Sequence, residues 1–266
     1  MFNNYKKVIH GGESMAIHYY LQAEQFVAGI SLRNAQFEEE NNLALHVCKE
    51  EEAILKNRRT LTAALQCDVE QLVCANQTHS DHFYKVTAAD AGRGATSLHD
   101  AIPNTDALYT FEKNIVLSSF TADCVPVILY SEKDGVIGVV HSGWQGTVKE
   151  ITLKLLNHLK HNEGCDLSAL QIIIGPALSQ RKFEVDKDVY DKFVALGYAE
   201  PFMYYKEETS KYHIDNQLTV KQQCLLSGVP EENITIDSMC TFESEKGFSY
   251  RQDRETGRHL TFIMRK

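Results

Sequence analysis

Cysteine and histidine are the residue types here that can hold a metal or attack an electrophile. They come close together in Thr121-Ala122-Asp123-Cys124-Val125-Pro126 and His141-Ser142-Gly143-Trp144-Gln145-Gly146. A third source lies upstream in Asn76-Gln77-Thr78-His79-Ser80-Asp81-His82, where either histidine is a candidate. Two imidazoles and one thiolate suit zinc, and three protein ligands leave a fourth position open, as in catalytic zinc sites. Without a metal, Cys124 is a nucleophile and His141 its base.

Those residues need rigid elements to bring them together. Val116–Phe120, Val125–Tyr130 and Val136–Val140 are apolar and rich in β-branched and aromatic residues, which predicts three strands. Ile151, Leu155, Leu156 and Leu159 then share one face of a helix predicted over 147–161. The order strand, Cys124, strand, His141, helix places thiol and imidazole at neighbouring strand ends. Gln71–Ala75 is a further strand, leading to His79. Upstream, residues 1–35 read as short strands with Gly11-Gly12 as a turn, and Glu50–Leu65 as a helix. Ala88–Pro103 reads as a surface loop. Downstream follow the strand Gln171–Ile174, a helix over Asp186–Leu196, a hairpin arm within 199–213, a helix capped by Asp215 or Asn216 and stopped by Gly228, and strands at Ile234–Met239 and His259–Met264. Gly92-Arg93-Gly94 lacks the third glycine of a dinucleotide loop and is discarded. The expectation is one α+β domain spanning residues 1–266, with helices covering sheets of short strands.

The chain has 266 residues, a net charge of −9 and 43% hydrophobic residues, enough for a sizeable core. No run is long enough to span a membrane, and no Lys/Arg cluster offsets the negative charge, which argues against membrane insertion and nucleic-acid binding. Seven scattered cysteines point to a reducing, cytoplasmic setting.

At this level the sequence resembles the multicopper polyphenol oxidase, or laccase-like, family, also described as YfiH/YlmD-type purine nucleoside phosphorylases. The resemblance rests on Asn42-Leu43 with Asn57-Arg58, Gln77-Thr78-His79, the Cys124 and His141 blocks, Ile174-Gly175-Pro176, Phe248-Ser249-Tyr250-Arg251 and Thr256-Gly257-Arg258, in the family's order. It implies two packed mixed sheets covered by helices, an α/β/β/α arrangement. It implies zinc on His79, Cys124 and His141, with copper as the second candidate metal. It implies phosphorolysis of adenosine, inosine and S-methyl-5'-thioadenosine, with adenosine deamination beside it, by a monomer or a homodimer. Asn42 and Gln77 become candidate substrate-binding residues. Two positions depart from the pattern: Gln145 stands where the family usually has Arg, and Arg181-Lys182-Phe183 where it often has Cys-Cys-Tyr.

Phosphorolysis leaves positive charge on the sugar and negative charge on the leaving base, so the site must hold an anion and a base. Arg58 and Arg251 are the candidates for phosphate, because a guanidinium fork matches its oxygens. Trp144 and Phe248 are the candidates to stack on a purine. Asp123 is the first candidate for proton transfer, ahead of Glu184 and Asp215. The Pro-Cys-x-x-Cys deaminase pattern is absent, so deamination needs another acid or base. Each residue also has a plainer role. Cys124 can be a small core residue, Trp144 core, Arg58 a surface charge, and His158 and His161 a solvated helix end. His46, His99, His213 and His259 have no paired spacing. Two rival functions remain: a copper oxidase of phenols, for which eleven histidines give one convincing cluster, and a metal-free Cys–His hydrolase.

Overall fold

The structure, a computed structural model, describes residues 5–10 and 13–266, with side chains from residue 16 onward. The Gly11-Gly12 turn lies outside the described residues. Two six-stranded sheets dominate. In spatial order the first holds β1 (Tyr5–His10), β2 (Glu13–Gln22), β3 (Phe26–Ser31), β15 (His259–Arg265), β7 (Val116–Thr121) and β4 (Leu72–Val73). The second holds β14 (Ile234–Ile236), β10 (Gln171–Ile174), β8 (Val125–Tyr130), β9 (Ile137–Ser142), β6 (Ala107–Thr110) and β5 (Phe83–Lys85). A small third sheet contains β11 (Glu184–Val185), β13 (Lys211–Ile214) and β12 (Met203–Lys206).

The apolar pattern explains the layering. In β8, Val125, Val127 and Leu129 pack toward the helix layer, while Ile128 packs into the space between the sheets. In β9, Val140 and Val139 divide the same way. A strand buried on both faces has no polar face to alternate with, which is why these segments read as unbroken apolar runs. Phe26, Ala28, Leu117 and Ile263 of the first sheet meet Leu108, Ile128, Val139 and Ile173 of the second. On the outer face of the first sheet lies α1 (Glu51–Ala64), through Leu61. On the outer face of the second lie α3 (Ile151–His161), through Leu155, Leu156 and Leu159, and α5 (Asn216–Ser227), through Val220 and Cys224. The three α3 leucines are fully buried, each contributing roughly 1.5–3 kcal/mol. The architecture is therefore α+β in the expected α/β/β/α order. No helix among the described residues is long and apolar enough to cross a membrane.

Several local expectations change. The helix predicted over 147–161 starts earlier and is split into α2 (Trp144–Val148) and α3, with Glu150 in the left-handed region at φ 62° between them. The break lets Lys149 Nζ donate to the carbonyl of His79 at 2.7 Å. The strand predicted over 71–75 shortens to β4, with Ala75 bridging Ile102 beyond it. The 88–103 segment is not wholly a surface loop: Ala95, Ala101 and Ile102 are buried. The fourth helix, α4 (Lys187–Val194), and α5 fall where periodicity and capping place them, and Asp215 caps α5 by accepting from Leu218 N–H at 2.9 Å.

Candidate metal centre and its two cavities

Strand order builds the site. The chain passes from the first sheet to the second twice in this region. The link from β4 to β5 carries His79, and the link from β7 to β8, residues 122–124, carries Cys124. His141 pairs with Pro126 near the end of β9, and β6 runs beside β9. The starts of β8, β6 and β5 and the end of β9 thus share one edge. Both crossings contain a residue in the left-handed region, His79 at φ 57° and Asp123 at φ 81°, which non-glycine residues seldom adopt. Gly143 closes the approach: a Cβ there would sit 2.8 Å from His79 Cδ2 and 2.9 Å from Cys124 Sγ.

His79, Cys124 and His141 offer ligand atoms that all lie within 4.8 Å of one another, and Cys124 Sγ is 3.9 Å from His79 Nε2. No other cluster of three or more His, Cys, Asp or Glu ligands occurs among the described residues. His82 stays outside it and hydrogen-bonds Asn104 instead. The donor set fits a metal that takes sulfur and nitrogen. The support around it fits as well. The Asp106 carboxylate lies 2.8 Å from His141 Nδ1 and accepts N–H bonds from His79 at 3.0 Å and Ser80 at 2.7 Å. That leaves Nε2 of His141 to face Cys124. A carboxylate behind a ligating histidine fixes its ring and tautomer.

Charge is organised accordingly. Burial alone would raise the Asp106 carboxyl, but bonds from His141 and Ser80 outweigh it and bring its pKa down to about 2. Burial would also raise the Cys124 thiol, yet the His141 and His79 imidazoles bring it down to about 6. Burial would lower His141, but the facing Cys124 and Asp106 raise it to about 9. The thiolate is the favoured form, as ligand chemistry requires.

Two cavities open on the cluster and share His79, Cys124, Ala122 and Tyr250. One, of about 250 Å³, has Trp144, Leu178 and Phe183 on its wall, with Asn216, Asp123 and Arg251. The other, of about 420 Å³, has Gln77, His46, Phe120, His141 and Arg258. Gln77 is locked by two bonds to the backbone of Phe120, at 2.8 and 2.7 Å.

The remaining expected site residues divide. Trp144 lines the first cavity, with Lys192 Nζ 5.1 Å from its ring centroid. Asp123 lines it too, but both its oxygens accept bonds, from Thr241 Oγ1 at 2.7 Å and from Arg251 N–H at 2.6 Å, which holds the Arg251 loop. Arg251 Nη1 and Nη2 reach the carbonyls of Lys182 and Glu184, each at 3.2 Å. Neither Glu184 nor Asp215 lines either of these two cavities.

Four expectations need correction. Arg58 is 0% exposed and lines neither cavity; Nε donates to Leu43 O at 2.8 Å, and Nη1 to Gly94 O at 2.7 Å and Ala95 O at 2.8 Å. Its guanidinium stitches a buried loop together and lies 5.2 Å from the Phe120 ring centroid. Phe248 is fully buried against His259, so it has no face to offer a base. Asn42 is also buried; its Oδ1 accepts from Ala44 N–H at 3.0 Å and Arg258 N–H at 2.9 Å, so it positions Arg258. His158 is not a free solvated side chain either, since Nε2 lies 2.8 Å from Tyr109 Oη.

Sequence reasoning passed over four residues that the fold brings in. Asp106 had no motif around it. His46 has no paired spacing in the sequence to mark it. Tyr250 and Arg258 lay inside matched blocks without a role. Arg258 engages only Nη1 among the described residues, with the carbonyls of Thr256 and Gly257. Its guanidinium carbon is 5.7 Å from the Tyr250 ring centroid.

The sequence profile of the family described as multi-copper polyphenol oxidoreductase laccase matches residues 27–266. The chain belongs to this family. Its relatives include the purine nucleoside phosphorylase YlmD of Bacillus subtilis, 33% identical over 247 residues that cover 90% of this chain and 88% of that one. A purine nucleoside phosphorylase of Staphylococcus saprophyticus is 37% identical over 84% of each chain. Among solved structures, the hypothetical protein YfiH of Bacillus licheniformis superposes with a TM-score of 0.87 at 30% identity, covering 93% of this chain and 99% of that one. YlmD from Geobacillus stearothermophilus gives 0.85 at 30% identity, covering 93% and 98%. The family's fold and the His–Cys–His cluster are thus found together in this chain.

Proposed function

We propose that this protein is a zinc-dependent purine nucleoside phosphorylase that cleaves adenosine, inosine and S-methyl-5'-thioadenosine, with adenosine deamination as a lesser activity. The observation that carries the reading is the pair of cavities meeting at one His–Cys–His cluster, one walled by Trp144, Leu178 and Phe183 and one carrying Arg258. The phosphorylase names of the relatives support it. A zinc ion held by His79, Cys124 and His141 would supply Lewis acidity toward a substrate atom.

The chain's own residues do the rest. Trp144, Leu178 and Phe183 bury the flat base and exclude water from the ribose–base bond. Arg258 holds phosphate in the second cavity, where Nε and Nη2 remain for the anion. Taking this role from Arg58, it presents a guanidinium fork whose affinity for phosphate is strong because both oxygens can be met at once. Tyr250 stands between the cavities, where sugar would join base to phosphate. Asp123 fixes the Arg251 loop at the rim.

A metal-free Cys–His hydrolase is the second reading, favoured by the Cys124–His141–Asp106 line. It leaves His79, held against the same thiol, without a task. A four-copper oxidase is less well supported, because the described residues offer a single cluster.

The test is release of adenine and hypoxanthine from adenosine and inosine by metal-quantified protein, with and without phosphate, beside Cys124→Ala. Release that requires phosphate, follows about one zinc per chain and disappears in the variant is the expected result. Turnover by metal-free protein that still needs Cys124 would instead establish the hydrolase.

A further inference from the structure

Arg258 does not stand alone in the second cavity. His46 lies on the same wall and is exposed, and its ring meets that of Phe120 edge-on, with 6.0 Å between centroids. Phe120 lines the cavity too, so the imidazole stands at its surface. Among the described residues neither ring nitrogen of His46 has a hydrogen-bond partner. Gln77, on the same wall, has both ends of its amide spent on Phe120. The buried Asn42 amide joins His46 to Arg258. Its Oδ1 accepts from Arg258 N–H at 2.9 Å and from Ala44 N–H at 3.0 Å, and its Nδ2 donates to Val47 O at 2.6 Å. Val47 N–H closes the turn onto Ala44 O at 3.3 Å, with His46 inside it. One side chain therefore holds the backbone of Arg258 against the turn that carries His46.

We infer that His46 donates a ring N–H to the phosphate that Arg258 holds, so that the two residues form one anion site and Asn42 positions both. The inference rests on the phosphorylase reading and completes its second cavity. An imidazole carries at least one N–H whether neutral or protonated, so the bond does not depend on the charge of the ring. A guanidinium fork meets two phosphate oxygens, which leaves the others for a donor on a different segment. Two donors from separate segments, converging beside the metal cluster, suit a compact anion with oxygens on several sides. They suit a flat base less well, because it meets its partners in one plane.

The test uses zinc-loaded wild type, His46→Phe, which keeps a ring against Phe120 without a donor, and His46→Gln, which keeps a donor. The KM for phosphate at saturating adenosine and the KM for adenosine at saturating phosphate are measured. So are bound zinc and the binding of inorganic phosphate by titration calorimetry. In His46→Phe the KM for phosphate is expected to rise about tenfold, with the KM for adenosine and the zinc content unchanged. His46→Gln is expected to recover part of the loss. An unchanged KM for phosphate in His46→Phe overturns the inference. So does a rise in the KM for adenosine in its place, because the ring would then be reading the nucleoside. Loss of zinc overturns it too, because the ring would then be supporting the metal cluster. Should His46→Phe fail to fold, His46→Ala is read in the same way. If wild type releases no base from any nucleoside in phosphate, the phosphorylase reading fails, and calorimetry still judges His46. Weaker phosphate binding by the variant then upholds the anion site, whereas equal binding by the two proteins, or none by either, overturns it.

Discussion

Asp106 Oδ1 lies 2.8 Å from His141 Nδ1, and neither side chain is open to solvent. The same carboxylate gathers N–H bonds from Thr78, His79 and Ser80. One buried acid therefore sets both the ring of one candidate ligand and the backbone of another. Asp106→Asn keeps the shape and removes the charge. It is expected to weaken zinc binding by roughly 10–100-fold, measured by competition with a chromophoric chelator, with the far-ultraviolet spectrum unchanged. Undiminished affinity would assign Asp106 to folding alone.

Gly143 leaves no room for a side chain between His79 and Cys124. Gly143→Ala is expected to fold, because its backbone is extended at φ −63° and ψ 164°, but to push the imidazole or the thiol aside. Bound zinc, measured by elemental analysis, should fall well below the roughly one ion per chain of a three-ligand site. Full occupancy in the alanine variant would show that the cluster can re-form around a methyl group.

Two arginines are expected to separate cleanly. Arg58→Met leaves three buried carbonyls without their donors, a loss of about 3 kcal/mol in urea unfolding, with the KM for phosphate little changed. Arg258→Ala reverses the pattern: stability is retained, and the KM for phosphate rises roughly 10–100-fold. If Arg58→Met instead shifted the phosphate KM alone, the assignment of the anion to Arg258 would be wrong.

His259 sets an acid limit on stability. It is fully buried; Nδ1 donates to Ser31 O at 2.7 Å and Nε2 accepts from Phe248 N–H at 2.8 Å. Both ring nitrogens are committed to the neutral form, and burial brings the pKa down from 6.5 to about 4. Above pH 6.5 neither folded nor unfolded chain is protonated here, so stability does not change with pH on its account. Between 6.5 and 4 the unfolded chain takes the proton first, and about 3 kcal/mol is lost as pH falls. Below 4 the dependence levels off. His259→Gln can make both bonds without titrating, and its urea midpoint should fall less than that of wild type across this window. Parallel curves for the two proteins would show that another group sets the limit.

The parts of this molecule legible in the sequence are those written in local pattern. Apolar runs marked β7, β8 and β9, and the Cys124 and His141 blocks at their ends could be read from type and spacing. Asp106 could not, because it meets His141 across 35 positions and only the pairing of β6 with β9 brings them together. Arg58 was misread although a signal was present. It lies four residues after Ile54 and three before Leu61, both buried in α1, so the helical period puts it on the inward face; its charge argued the other way. The split between α2 and α3 had no proline or glycine to announce it.

Two of the three candidate ligands sit on the links where the chain leaves one sheet and enters the other. An ion bound there would act as a rivet through the seam. A nascent chain with only one sheet formed would have nowhere to hold it, so loading follows docking of the sheets rather than guiding it. The order also makes metal retention a reporter: the ion should stay until the seam opens, and its release would time the moment the two sheets part.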